Sequence, residues 1–274
     1  MDTNYKPEYT LVSDAYLGHP QEIFEKKLAY LAEMTIKEEW NFKDPQYKVD
    51  GRNFPILYNY LNFTYDRLKE ENKLATSEDG QAMCFNTGLQ TQFEEDIFAY
   101  FVKNERYPDM ASQPWFFVKF CRPFEKELTI FSPLPPIADY FENPSDLIFD
   151  KRLLPIRPNY EHIIRDNKER FDAAYQEHEL RAAIYGAISI AEERVKRNYK
   201  MAIPQFYTDK ITKRGKIQLL LPLCLKDRKI VDLALVVERD GNSYIGRTAI
   251  PLDWAYMNSR RIVRPDVEWI LGNI

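Results

Sequence analysis

Glycine is scarce in this chain, at nine of 274 residues. That excludes a collagen-like repeat, and neither a dinucleotide-binding glycine fingerprint nor a phosphate-cradling GxxxxGK loop occurs. Cysteine and histidine are scarcer still, at three each. Cys84, Cys121 and Cys224 are far apart, odd in number and set in apolar runs, so zinc spacing and a CxxC redox pair are both excluded. They read as buried free thiols of a reducing compartment. His19, His162 and His178 are equally dispersed, and no HExxH, HxH or GxSxG string is present. No run of about 18 apolar residues exists, which excludes a membrane-spanning helix by this criterion. The longest apolar stretches are strand-sized, as at 217–225. The N-terminus carries acid and no apolar core, so it does not read as a secretory signal, and a cytoplasmic location is expected.

Aromatic residues are plentiful, with 18 Tyr and 17 Phe. At 45% apolar and 29% charged, the composition is that of a folded globular chain rather than a disordered one. Apolar spacing predicts helices over 21–34 and from Pro55 to about Asn72, Pro being suited to a first helical turn. Residues 82–89, 95–103 and 115–120 are short, aromatic and bounded by turn residues, and read as strands. A proline-rich but apolar stretch covers 121–160, with a short helix expected near 136–142. A long helix follows over 176–199, with Leu180, Ile184, Ile188, Ala191 and Val195 on one stripe. Strands are expected at 216–225, 231–239 and 243–250, the last two joined by the hairpin signal Asp240-Gly241. A final helix runs from Pro251 to about Val263. Regular βαβ alternation is absent. The expectation is an α+β fold with one largely antiparallel sheet of about six strands flanked by helices. An N-terminal arm and helix occupy 1–54, and a single domain occupies 55–274 in preference to a split within 121–160.

The formal charge is −4, which speaks against nucleic acid as an average. Locally the balance reverses. Residues 191–216 hold eight basic and three acidic side chains, so this segment is +5 and the remainder −9. Arg197 and Lys200 lie there beside Asn198, Tyr199, Gln205 and Tyr207. Cations interleaved with aromatics suit a phosphate-tracking, base-stacking surface for single-stranded nucleic acid. The plainer alternative is a solvated helix end, with Lys and Arg favoured by the macrodipole and Asn198 as its terminator.

In the last helix Trp254, Asn258 and Arg261 share a face, with Asp253 and Arg260 adjoining. Together they suit a base or a phosphate, or simply a Trp anchoring the helix to a sheet. Asn86 and Thr87 precede Gly88 where a strand is expected to turn, so they serve either the turn or a ligand. Asp232 opens an apolar strand that ends at Glu238, and an acid there must be paired, solvated or functional. Lys216 and Arg247 on neighbouring strands are alternative partners for these acids, Asp232 and Glu238. As catalytic groups, Asp232 and Asp253 would suit magnesium-dependent chemistry on a phosphate ester, although no metal-ligand set is identified.

Several strings together carry a resemblance: 57–68, FNTGL at 85–89, 134–150, NYKMAIPQ at 198–205, 219–225 and 248–262. From about residue 55 onward the chain resembles an uncharacterised bacterial domain family, catalogued as a domain of unknown function. By that resemblance, its members often stand beside RNA-binding modules such as cold-shock and OST-HTH domains. The family favours two adjacent asparagines where this chain has Met257-Asn258. The resemblance implies an RNA-directed partner class and no established reaction. The expected function is binding of single-stranded RNA or a nucleotide, extending to phosphodiester or nucleotide processing. The rival is a non-catalytic protein-interaction module, built on the aromatic richness and open to homo-oligomerisation.

Overall fold

A computed structural model describes residues 10–18, 22–44, 52–106, 113–171, 175–209 and 215–271. His19, Asp50, Gly51, Lys210, Lys213 and Arg214 lie outside them. The chain divides into two units, one within Lys6–Asp139 and one within Tyr140–Ile274. The division falls inside the proline-rich stretch.

The N-terminal unit runs α1 (Thr10–Asp14), β1 (Ala15–Tyr16), α2 (Glu22–Met34), α3 (Pro55–Glu70), β2 (Ala75–Thr76), β3 (Ala82–Gln90), β4 (Asp96–Lys103) and β5 (Trp115–Cys121). Its sheet has the order β1-β5-β4-β3-β2. The C-terminal unit runs β6 (Leu154–Pro158), α4 (Tyr160–Ile164), α5 (Glu177–Arg197), β7 (Ile203–Thr208), β8 (Gly215–Leu223), β9 (Leu233–Asp240), β10 (Ser243–Ile250) and α6 (Leu252–Ser259). Its sheet has the order β6-β10-β9-β8-β7. The α+β class stands, but the expected single sheet of about six strands is replaced by two sheets of five. The six expected strands are the three central antiparallel strands of each.

The two sheets have the same topology. In each, the first strand lies parallel to the fifth, at Ala15↔Trp115 and at Ser243↔Leu154. The remaining strands form an antiparallel meander. In each, a long helix (α3 or α5) leads directly into that meander and packs on its second strand, β3 or β8.

The cores differ in chemistry. In the N-terminal unit, Tyr65 of α3 meets Phe85 at 5.4 Å, and Phe85, Phe101 and Phe117 continue the contact at 5.8 and 5.2 Å. In the C-terminal unit, Leu180, Ile184, Ile188, Ala191 and Val195 of α5 pack on Leu219, Leu221, Leu223, Leu233, Leu235 and Val237. These are alternate positions on β8 and β9, so the opposite pleat of the same strands faces away from α5. Each fully buried aliphatic side chain contributes on the order of 2 kcal/mol.

The edges of the C-terminal sheet carry proline, at Pro155 and Pro158 in β6 and Pro204 in β7, where a missing N–H costs no ladder bond. The segment after β10 also lies along β7. Arg261 Nη1 donates to Phe206 O at 3.2 Å, and Trp269 Nε1 donates to Met201 O at 3.0 Å. The short helix expected near 136–142 does not form, and α6 stops at Ser259 rather than near Val263. Among the described residues no helix is long and apolar enough to cross a membrane.

Candidate functional site

The pleat of β7, β8 and β9 that faces away from α5 is apolar at one end, with Ile203, Leu220, Ala234 and Val236 buried, and polar at the other. Register sets Gln205 opposite Gln218 and Leu219 opposite Val237, so Gln205, Gln218 and Glu238 form one row across three strands. Gln205 Nε2 donates to Gln218 Oε1 at 2.9 Å, and Gln218 Nε2 donates to Glu238 Oε2 at 2.9 Å. Lys216 Nζ and Arg247 Nη2 donate to Glu238 Oε1 at 2.8 and 3.1 Å. The expected pairing of Lys216 and Arg247 with a neighbouring acid is therefore made, with Glu238. Burial alone would push the Glu238 carboxyl up, but hydrogen bonds from Lys216, Gln218 and Arg247 outweigh it and hold the group below its ordinary value.

The carboxylate also fixes the direction of the row. An ionised carboxylate only accepts, so Gln218 must donate to it and present its own oxygen to Gln205. Gln205 then donates with its nitrogen, and its oxygen ends the row as an acceptor. That oxygen is buried and has no donor among the described residues. Exposure rises along the row, from 3% at Gln205 to 37% and 44% for the side chains of Lys216 and Arg247. The outer end is cationic and wet, and the inner end is an amide in a dry environment.

The helix that follows β10 adds to this region. α6 packs against β7 and β9. Arg261 sits in the turn after α6, donates to Asn258 Oδ1 at 2.8 Å, and is anchored on the carbonyl next to Gln205. Residues 55 apart in sequence thus meet at the β7 edge. Arg260 is buried at the helix C-cap, where its N–H donates to Tyr256 O. Trp254 is already faced by a guanidinium, that of Arg170, 5.0 Å from its ring. Arg170 also donates to Ala249 O at 2.8 Å. Asp253 occupies the first turn of α6, where a carboxylate complements the macrodipole.

Other residues read from sequence have structural employment. Asn198 ends α5, and its side chain accepts from Lys200 N at 3.2 Å to start a 3₁₀ turn. Arg197 pairs with Glu193 at 2.8 Å, and Lys196 pairs with Glu192 at 2.7 Å. The helix part of the basic segment is thus largely neutralised by its own acids. Lys200 stays exposed in the 3₁₀ turn. Asp232 accepts from Leu225 N at 2.6 Å and shapes the loop between β8 and β9.

Asn86 and Thr87 belong to the N-terminal unit, whereas the residues above belong to the C-terminal one. The Asn-Thr-Gly string is not a turn but an irregularity within β3, where the register to β4 shifts between Asn86 and Gln90. Thr87 Oγ1 donates to Ile97 O at 2.6 Å, and Asn86 Nδ2 donates to Asp96 Oδ2 at 3.0 Å. Asn86 Oδ1 accepts from Gly88 N at 2.9 Å. Gly88 has φ +71°, and a Cβ there would lie 2.7 Å from the Tyr60 hydroxyl, so glycine is required twice over. Both polar side chains are buried and hydrogen-bonded within their own strand pair and its surroundings.

For a metal, the one grouping of three His, Cys, Asp or Glu ligand atoms among the described residues is Cys121, Glu125 and Glu127. Lys119 Nζ pairs with both glutamates, at 2.7 and 3.0 Å, which supplies their positive partner from the chain itself. Burial pushes the Cys121 thiol up to about 12, with the nearby Glu125 adding to the rise. Asp232 and Asp253 are not part of any such grouping.

No curated protein and no solved structure matches this chain. A family model described as Domain of unknown function (DUF3825) matches residues 31–269, so the chain belongs to that family of uncharacterised domains.

Proposed function

We propose that the protein binds single-stranded RNA or a nucleotide through the polar pleat of its C-terminal sheet. The observation that supports this most directly is the anchoring of Arg261, which also holds Asn258, on the Phe206 carbonyl at the β7 edge, next in sequence to Gln205 of the row whose wet end holds Lys216 and Arg247. In this reading Lys216, Arg247 and the exposed Lys200 attract phosphate. The amides of Asn258 and Gln205 supply base or sugar contacts, and Tyr207, whose ring lies 5.7 Å from Lys216 Nζ, supplies a stacking surface. The resemblance to proteins that stand beside cold-shock and OST-HTH modules points the same way.

Binding is favoured over catalysis on the chemistry of the acids. Glu238 is held ionised by three donors, which suits neither a general acid nor a strong base. Asp232 is engaged in a loop. The cations at the rim are few, which fits the mild overall acidity: the anion-binding surface is one local groove.

Fluorescence anisotropy of a short labelled single-stranded RNA at 50 and 200 mM salt tests the proposal. Affinity should fall with salt, by about 0.7 in log slope per phosphate neutralised. The double variant Lys216→Gln/Arg247→Gln removes two cations and should lower that slope by about 1.4. No binding at the lower salt overturns it.

A further inference from the structure

The C-terminal unit has a second polar feature that the row above does not use: an open cleft of ≈ 510 Å³ between α4 and the first turns of α5. One wall is Arg165, whose guanidinium is shared by Glu161 at 2.8 Å and Glu177 at 3.3 Å. Each carboxylate spends one oxygen on this arginine. Since a carboxylate has about four lone-pair sites, each retains capacity to accept. The lining also holds Tyr160 and Arg181, whose guanidinium lies 4.9 Å from the ring centroid. Arg181 has no carboxylate partner among the described residues. His178 stands one helical turn before Arg181 on the same side of α5, and Ile164 forms an apolar part of the lining. Tyr185, one turn after Arg181, is exposed and lies close enough to Tyr160 to affect its ionisation.

These walls ask for a ligand of unusual balance. A guanidinium lying over a tyrosine presents its second face to a flat π-system, as in the stacking of unpaired bases on arginine planes. Glu161, Glu177 and Arg165 together carry a net negative charge, and the two carboxylates accept hydrogen bonds. A phosphate there would meet two carboxylates. Sugar hydroxyls or base N–H groups would be received by them.

We propose that this cleft binds a ribonucleoside moiety free of phosphate at the sugar hydroxyls, the base stacked on Arg181 and Tyr160 and the 2′,3′-diol donating to Glu161 and Glu177. A free nucleoside and the 3′-hydroxyl end of an RNA share this chemistry. The RNA-end version rests on the RNA-binding reading above, and the nucleoside version does not.

Titration of the full-length protein with adenosine, followed by NMR or calorimetry, tests it. Adenosine should bind, and 2′,3′-dideoxyadenosine should bind about 10-fold more weakly because two donors to charged acceptors are lost. Arg181→Ala is on an exposed helix position and should weaken adenosine by about 10-fold through lost stacking. Tyr160→Leu should do the same. Lys216→Gln/Arg247→Gln should leave adenosine binding unchanged while weakening RNA, so the two sites fail separately. A pair of RNA oligomers ending in 3′-hydroxyl or 3′-phosphate then separates the sources. Preference for the hydroxyl that vanishes in Arg181→Ala assigns the cleft to RNA ends, and equal binding assigns it to free nucleosides. No nucleoside binding at millimolar concentration, or adenosine binding unaffected by Arg181→Ala, overturns the proposal.

Discussion

The two units repeat one strand order and differ in what they place on the pleat turned away from the long helix. In the N-terminal sheet that pleat is closed by Ala82, Cys84, Phe98 and Cys121 packed with Leu128 and Phe131. Its charges stay at the border, where Lys119 neutralises Glu125 and Glu127. In the C-terminal sheet the corresponding pleat carries Gln205, Gln218 and Glu238 in a buried hydrogen-bonded row. The N-terminal sheet closes the same topology with apolar side chains and a single buried amide, Asn86, so a row of three polar side chains is not a requirement of the fold. A buried polar row is also costly when incompletely satisfied, and this one ends in an acceptor without a donor among the described residues. The difference between the units is therefore where function is best sought.

Core truncations should divide the molecule most sharply. Phe101→Ala in the aromatic core and Leu221→Ala in the aliphatic core should each destabilise by about 3–4 kcal/mol. Urea denaturation followed by residue-resolved hydrogen exchange will show whether each loss stays within its own unit. If both variants weaken both sheets equally, the units are one cooperative body and the division made above is only geometric.

Gly88→Ala should follow, at about 2–3 kcal/mol, because it strains a left-handed backbone and meets the Tyr60 hydroxyl. Its effect should be confined to the N-terminal unit and read in the same exchange profile. Intact stability would mean that the β3 irregularity relaxes freely.

Glu238→Gln sharpens the contrast at about 1–3 kcal/mol, since it leaves Lys216 and Arg247 without their shared carboxylate. Its pH dependence has a definite sign. The folded carboxyl lies below its unfolded value of about 4.3, so its contribution is fully present above that pH. The contribution is lost as pH falls through the lower folded value. Thermal melts from pH 7 to pH 3 should therefore show the gap between wild type and variant narrowing with acid, and a constant gap would refute the assigned role.

The smallest effect at neutral pH belongs to the thiols. Burial pushes Cys84 and Cys121 up to about 12, with their mutual proximity adding to the rise at Cys84. Both should resist alkylation at pH 8.5 until the chain unfolds. Because the folded state holds these protons longer, their contribution falls as pH rises above the unfolded value near 8.5. Rapid alkylation of either thiol in the native protein, located by peptide mapping, would show that the apolar pleat opens.

Much of this architecture was legible from residue order, and the exceptions share a cause. All six central strands were visible because a buried central strand needs a run of apolar or aromatic residues. The four missed strands, β1, β2, β6 and β7, are the sheet edges. Two have only two residues, and the other two contain proline, which periodicity treats as a breaker. Nor does strand pattern say which strands share a sheet, so two meanders of three were counted as one sheet of six. At the candidate site, Gln205, Asn258 and Arg261 were recognisable by residue type. Gln218 was missed because one glutamine within an apolar strand gives no local signal. Its role appears only when register places it between Gln205 and Glu238. Asn86 and Thr87 were read as part of a turn, whereas they lie at an irregularity within β3 that keeps their polar groups inside the sheet.

The parallel pairing of first and fifth strands also orders events in time. Ala15 pairs beside Trp115, so β1 has to wait for some hundred residues of chain before its neighbour exists. Leu154 similarly waits for Ser243. On a ribosome the last strand of the first sheet is made before the opening strand of the second. The partner of β1 is therefore made before β6 exists, and synthesis allows one sheet to form ahead of the other.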